Sequence, residues 1–121
     1  MNKNSVMHAK SFSDSVKFAC RGIQLIARSE RNFRTHLILA GLAIAVGLLL
    51  HFSWIKWVVL TMGIAFMLVV EMLNTAIEFL VDWQADGTYS TQAAQVKDMA
   101  AGACLTTALA MVVVGVFLLW G

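Results

Sequence analysis

The chain has 121 residues, of which 60% are hydrophobic, 13% charged and none proline, with a mean hydropathy of +0.76 and a mass of 13.3 kDa. A water-soluble domain this small cannot hide so much apolar surface, which excludes an ordinary soluble globule and leaves room for one domain with about three bilayer crossings of about 20 residues each. A formal charge of +2 is too mild to mark a nucleic-acid binder, so the meaning of the charges lies in their positions.

Residues 1–10 are polar and read as a loose tail. No signal-peptide layout is present, because Lys3, Lys10, Asp14, Lys17 and Arg21 fall where an unbroken apolar stretch is needed. Over 11–29, Phe12, Val16, Ala19, Cys20, Ile23, Ile26 and Ala27 recur at helical spacing, opposite Asp14, Lys17, Arg21 and Arg28. This predicts an amphipathic helix suited to the plane of a membrane interface, although a core-facing bundle helix has the same pattern.

A first span is expected over 36–53, since Leu37 to Leu50 are all apolar or glycine; His36, Trp54 and Trp57 mark its ends as interfacial side chains do. A second span over 54–82 contains no helix breaker. Residues 83–98 hold Asp86-Gly87 and a cluster of Thr, Ser and Gln, predicting a loop. A third, uncharged span follows over 99–120, entered past Lys97-Asp98. There is no internal repeat. Cys20 and Cys104 lack metal-ligand spacing and sit in helical apolar contexts, so both are expected to be small buried residues with no disulfide.

The expected fold is thus all-α: a single membrane domain over 1–121 with one surface helix and three transmembrane helices. Seven basic residues precede the first span (Lys3, Lys10, Lys17, Arg21, Arg28, Arg31, Arg34), Lys97 lies in the second loop and only Lys56 in the first. The bias of lysine and arginine toward the cytoplasm orients the chain with its N-terminus and 83–98 loop inside and Gly121 outside a plasma membrane.

The chemistry-bearing residues are on the second span. Glu71, Asn74, Glu78 and Asp82 are spaced three, four and four apart, which on an α-helix turning about 100° per residue lines them up along one stripe. A charge at the bilayer centre costs from about 2.5 kcal/mol upward, so such residues normally face a bundle interior or polar cavity and mark function. The blander reading makes Glu71 a neutral carboxyl gluing helices together, and Asp82 a solvated acid at a helix end. In the assigned orientation, Asp82, Lys97-Asp98 and Glu30 all reach the cytoplasmic boundary. Carboxylate oxygens beside an amide and cations there suit a Mg²⁺–polyphosphate ligand. Glu71, deepest in the lipid, is placed to meet a hydroxyl that cannot leave the membrane.

No G-x-x-x-x-G-K-[ST] loop and no kinase-type catalytic loop occurs, so phosphoryl transfer would have to be performed on helices. His8 and His51 read as solvated, and His36 either anchors the first span or lines the site. A proton-coupled transporter also uses intramembrane carboxylates, but an odd number of spans and polar groups crowded at one boundary weigh against it. An inactive helical assembly subunit is the remaining alternative.

The run Glu71-Met-Leu-Asn74-Thr-Ala-Ile-Glu78-Phe-Leu-Val-Asp82, followed by Lys97-Asp98-Met-Ala-Ala-Gly-Ala, resembles the signature of the small prokaryotic integral-membrane diacylglycerol kinases, which include the undecaprenol kinases. Glu30-Arg-Asn32-Phe-Arg34-Thr-His36 is similar to the E-x-N-x-R-x-H stretch of the Gram-positive, undecaprenol-phosphorylating branch. The resemblance covers about residues 11–121 and implies a homotrimer with active sites shared between neighbouring chains. By position it implies Glu71 as catalytic base, Glu30 and Glu78 as Mg²⁺ ligands, and Asn74, Asp82, Lys97 and Asp98 as nucleotide contacts. It sets Phe18 near the adenine and Asn32, Arg34 and His36, with Glu71, near the lipid. Ser11 stands where the family often has arginine, and the 83–96 loop keeps only Tyr89 of a Glu-Tyr-His run. The implied activity is an ATP–Mg²⁺-dependent lipid kinase acting on undecaprenol, with diacylglycerol as the alternative acceptor.

Overall fold

The structure, a computed structural model, describes residues 11–121; the expected loose tail, with Lys3 and Lys10, lies outside the described residues. Four helices follow one another, α1 (Phe12–Ser29), α2 (Arg31–Leu49), α3 (Trp54–Ala85) and α4 (Thr91–Trp120), and no strand occurs among the described residues. The chain divides into two units, one ending at Arg31 and the other running from Asn32 to Gly121.

In the first unit, Ser11 caps α1 by accepting a hydrogen bond from the Asp14 N–H at 3.3 Å, and Asp14 itself adds a negative charge to the helix's first turn. Arg28 in the last turn complements the other end of the dipole. The helix stops at Glu30, whose backbone is extended while its N–H still donates to the Ile26 carbonyl. Phe12, Val16, Ile23 and Leu25 remain exposed along its length. Cys20 is exposed as well, contrary to the buried thiol expected, because among the described residues of its own unit α1 has no second element to pack against.

In the second unit, α2, α3 and α4 are each long and apolar enough to cross a membrane. A connection of only Leu50–Ser53 joins α2 to α3. The Phe52 N–H donates to the Gly47 carbonyl at 3.0 Å and the His51 N–H to that of Leu48 at 3.3 Å, while His51 takes φ 52°. This is a Schellman ending, and it places a histidine in the left-handed conformation that glycine usually supplies. At the other end of α3, Asp86 at φ 47° and Gly87 at φ 77° make the turn that the Asp-Gly pair predicts. Ser90 then caps α4, accepting from the Ala93 N–H at 3.0 Å.

The expected 83–98 loop is therefore an overestimate: the connection is Asp86–Ser90, and Lys97 and Asp98 stand on the second turn of α4. Likewise α2 begins at Arg31, earlier than the span expected from 36, which carries Asn32, Arg34 and His36 onto the helix.

Helices α3 and α4 form the tightly packed pair of the unit. Cross-contacts fix their antiparallel register: Lys56 Nζ donates to the Leu118 carbonyl at 2.9 Å, Gly63 lies against Met111, and Asp82 pairs with Lys97. A β-carbon added at Gly47 would sit 2.8 Å from Trp57 Cη2 and 2.9 Å from Phe52 Cδ2, two rings locked edge to face. At Gly63 it would meet Met111 Sδ and Cε at 2.9 Å, the far end of a flexible side chain. Gly47→Ala is therefore expected to lose about 1–3 kcal/mol by overpacking, more than the helix-propensity gain of about 1 kcal/mol returns. Gly63→Ala keeps that gain because Met111 can turn aside. Thermal unfolding in detergent should show a lowered Tm for the first variant alone.

Candidate active site

The acidic stripe of α3 lies along one face, and its exposure rises steadily toward the turn. Glu71 is buried at 6% exposure, Asn74 and Glu78 are half-buried, and the Asp82 side chain is 66% exposed. Thr75, one turn beyond Glu71, is buried beside it on the helix.

Glu71 meets α2. Its Oε1 lies 3.2 Å from Nε2 of His36, within hydrogen-bonding distance, so the imidazole N–H can donate to the carboxylate. His36 thus stands beside Glu71 near the start of α2. On α4, Cys104 is half-buried, less buried than expected.

One turn further, the Asn74 side-chain N–H donates to Glu78 Oε1 at 3.3 Å. Asn74 Oδ1 is buried and has no hydrogen-bond partner among the described residues. An orphaned amide oxygen next to a carboxylate is an unfavourable arrangement in isolation and a suitable one for a hard cation, which binds oxygen ligands. Among the described residues, no group of three His, Cys, Asp or Glu side chains could by itself hold a metal ion. Of the two expected Mg²⁺ ligands, Glu78 belongs to this cluster, and Glu30 is the residue that ends α1 in the other unit.

At the end of the stripe, Asp82 and Lys97 form an ion pair that ties α3 to α4. The pair lines a cavity of about 460 Å³ at the mouth of the helical hairpin, together with Gly87, Thr88, Tyr89 and Ser90. Asp98 is exposed on the next position of α4. Asn32 and Arg34 are exposed on the first turn of α2. Phe18 is exposed on α1, with the Arg21 guanidinium 5.7 Å from its ring centroid.

His36 has a second neighbour. It stands at one end of a groove of about 320 Å³ between α2, α3 and α4, whose other lining residues, among them Leu39, Leu60, Met67 and Val112, are all apolar. The unit therefore presents, in order along α3, an apolar groove, a buried carboxylate held by a histidine, an amide–carboxylate pair with a spare oxygen, and a lysine at the hairpin mouth.

Residues 17–119 match the family model described as prokaryotic diacylglycerol kinase. Among curated proteins, the chain is 35% identical over 115 residues to a diacylglycerol kinase of Synechocystis, covering 95% of this chain and 66% of that protein, so it spans just under two thirds of that relative's length. It is 37% identical over 107 residues to the undecaprenol kinase of Bacillus subtilis, covering 88% and 86% of the two chains. The diacylglycerol kinase of Escherichia coli is 28% identical over 103 residues, covering 85% and 84%.

Proposed function

The chain belongs to the prokaryotic diacylglycerol kinase family, and from that premise we propose that it is an ATP-dependent membrane lipid kinase whose acceptor is undecaprenol. The observation that carries this reading is the order of groups along α3, in which a buried carboxylate separates an apolar groove from a polar cluster. A lipid kinase needs that order, because its acceptor arrives from the bilayer and its donor from water.

Helix length supports the same arrangement. The 32 residues of α3 extend about 48 Å, whereas the hydrocarbon core is about 30 Å thick. Counting about 20 residues from the interfacial Trp54 ends the hydrocarbon near Asn74, with Glu71 just inside and Glu78 and Asp82 beyond it. Counting back equally from Trp120 leaves Lys97 and Asp98 outside. The base thus lies where the hydroxyl of a lipid alcohol lies, and the charged groups lie where nucleotide is dissolved. By the distribution of lysine and arginine, that side is the cytoplasm.

In the mechanism we infer, Glu71 accepts the proton of the lipid hydroxyl as the oxygen attacks the γ-phosphorus in line. Lys97 supplies a cation for the phosphate oxygens, which must compete with Asp82 for it. Glu78 and Asn74 Oδ1, which has no partner among the described residues, are fitting ligands for Mg²⁺, and Glu30 is the further acidic ligand that the family resemblance implies. When bound, the ion neutralises charge on the polyphosphate. Asp98 and Phe18 complete the nucleotide contacts, and Asn32 and Arg34 contact the lipid headgroup. The exposed apolar faces of the helices are those that a homotrimer and the surrounding lipid would cover together.

Undecaprenol is favoured over diacylglycerol by the Glu30-x-Asn32-x-Arg34-x-His36 stretch and by the Bacillus subtilis relative. Diacylglycerol remains the second reading, because the Synechocystis relative is named for it. Vesicles holding the protein and one alcohol at a time, supplied with γ-labelled ATP, decide between them. Faster labelling of undecaprenol than of diacylglycerol is the expected result, and the reverse preference overturns the assignment. Proton-driven solute flux with no labelled lipid would replace the kinase with a transporter.

A further inference from the structure

A carboxylate buried in an intramembrane helix needs a donor to hold it, and the one facing Glu71 comes from a different helix. His36 touches two things at once. Its Nε2 is 3.2 Å from Glu71 Oε1, and among the described residues its ring is the one polar side chain in the otherwise apolar groove lining. A residue that merely glued α2 to α3 would not need to open onto the groove, and a residue that merely lined the groove would not need to reach the carboxylate.

Resting on the reading of Glu71 as the base, we propose that His36 is a positioning residue for the phosphoryl transfer. Its Nε2–H fixes Oε1 of Glu71, so that Oε2 is presented to the alcohol at the polar end of the groove. In the transfer, the O–H bond of the lipid breaks and its proton goes to Oε2 while the new O–P bond forms. The bond between the γ-phosphorus and the bridging oxygen of ATP breaks, leaving its electron pair on ADP. The proton taken up by Oε2 passes to water before the next turnover. Asn74 and Glu78, hydrogen-bonded to each other, follow Glu71 along the same face of α3.

The test uses the full chain in vesicles containing undecaprenol, with His36→Leu and His36→Gln. Leucine keeps bulk and removes the donor, whereas the glutamine amide carries an N–H near the position of Nε2. His36→Leu is expected to lower kcat by about 10²-fold, the scale of a misplaced catalytic group, with KM for Mg·ATP unchanged within about twofold. His36→Gln should recover at least about tenfold of that loss, as one hydrogen bond to a charged group permits.

A wild-type kcat for His36→Leu would overturn the inference. So would equal inactivity of both variants when both fold and bind nucleotide normally, since that outcome marks ring shape as the requirement. If His36→Leu fails to assemble, His36→Gln decides, and a loss of about 10²-fold or more in kcat for that variant, when it folds and binds nucleotide normally, overturns the proposal. Glu71→Gln separates the two levels: full activity in that variant removes the base itself, whereas its inactivity beside a fully active His36→Leu removes only the role given to His36.

Discussion

Glu71→Gln is expected to yield a folded protein that binds nucleotide and lipid but turns over at least about 10²-fold more slowly, the scale of general-base loss. The substitution keeps the size of the side chain, and its amide oxygen can still accept from His36 Nε2–H, so the α2–α3 contact survives. What disappears is the ability to take a proton from the alcohol. Because that need arises only as the hydroxyl attacks, kcat and kcat/KM should fall together while KM for Mg·ATP stays put. The competing account, in which Glu71 is a neutral carboxyl that glues helices, predicts the opposite pattern: a lowered Tm with turnover preserved. Steady-state kinetics and thermal unfolding on one preparation distinguish the two, and near-normal turnover refutes the base.

Long α3 was readable in advance because nothing between Trp54 and Asp82 interrupts a helix, and the spacing of Glu71, Asn74, Glu78 and Asp82 then allows only one face. The errors share a physical origin. Apolar runs mark where hydrocarbon is, not where a helix starts. Thr91 to Asp98 and Arg31 to Thr35 are mostly polar and fall outside the expected spans, yet they are the first turns of α4 and α2. Ser90, whose side chain accepts from Ala93 N–H, was the local signal that α4 begins early. The His36–Glu71 contact had no such signal. It depends on how far α2 slides along α3, and that is set by the four-residue connection and by Gly47 accepting Trp57 and Phe52 at close range.

Glu78→Gln should shift the Mg²⁺ requirement instead of abolishing the base. In the structure the carboxylate accepts from Asn74 at 3.3 Å, and Asn74 Oδ1 is left buried without a partner among the described residues. A glutamine at 78 can keep the hydrogen bond to Asn74 through its carbonyl, so the helix face is retained. It removes a full negative charge from a set that hard cations select by oxygen ligands and charge. The half-saturating Mg²⁺ concentration is expected to rise by at least about tenfold, with much of kcat recovered at saturating metal, since about 1.4 kcal/mol of lost binding already gives that factor. Asn74→Leu offers the complementary measurement: it removes the orphaned oxygen while leaving the carboxylate charge, and should raise the same requirement by a smaller factor. An unchanged Mg²⁺ titration with intact activity in Glu78→Gln would reject the ligand role. A raised requirement in Glu78→Gln beside an unaltered one in Asn74→Leu would leave the carboxylate as ligand and assign the amide to the nucleotide alone.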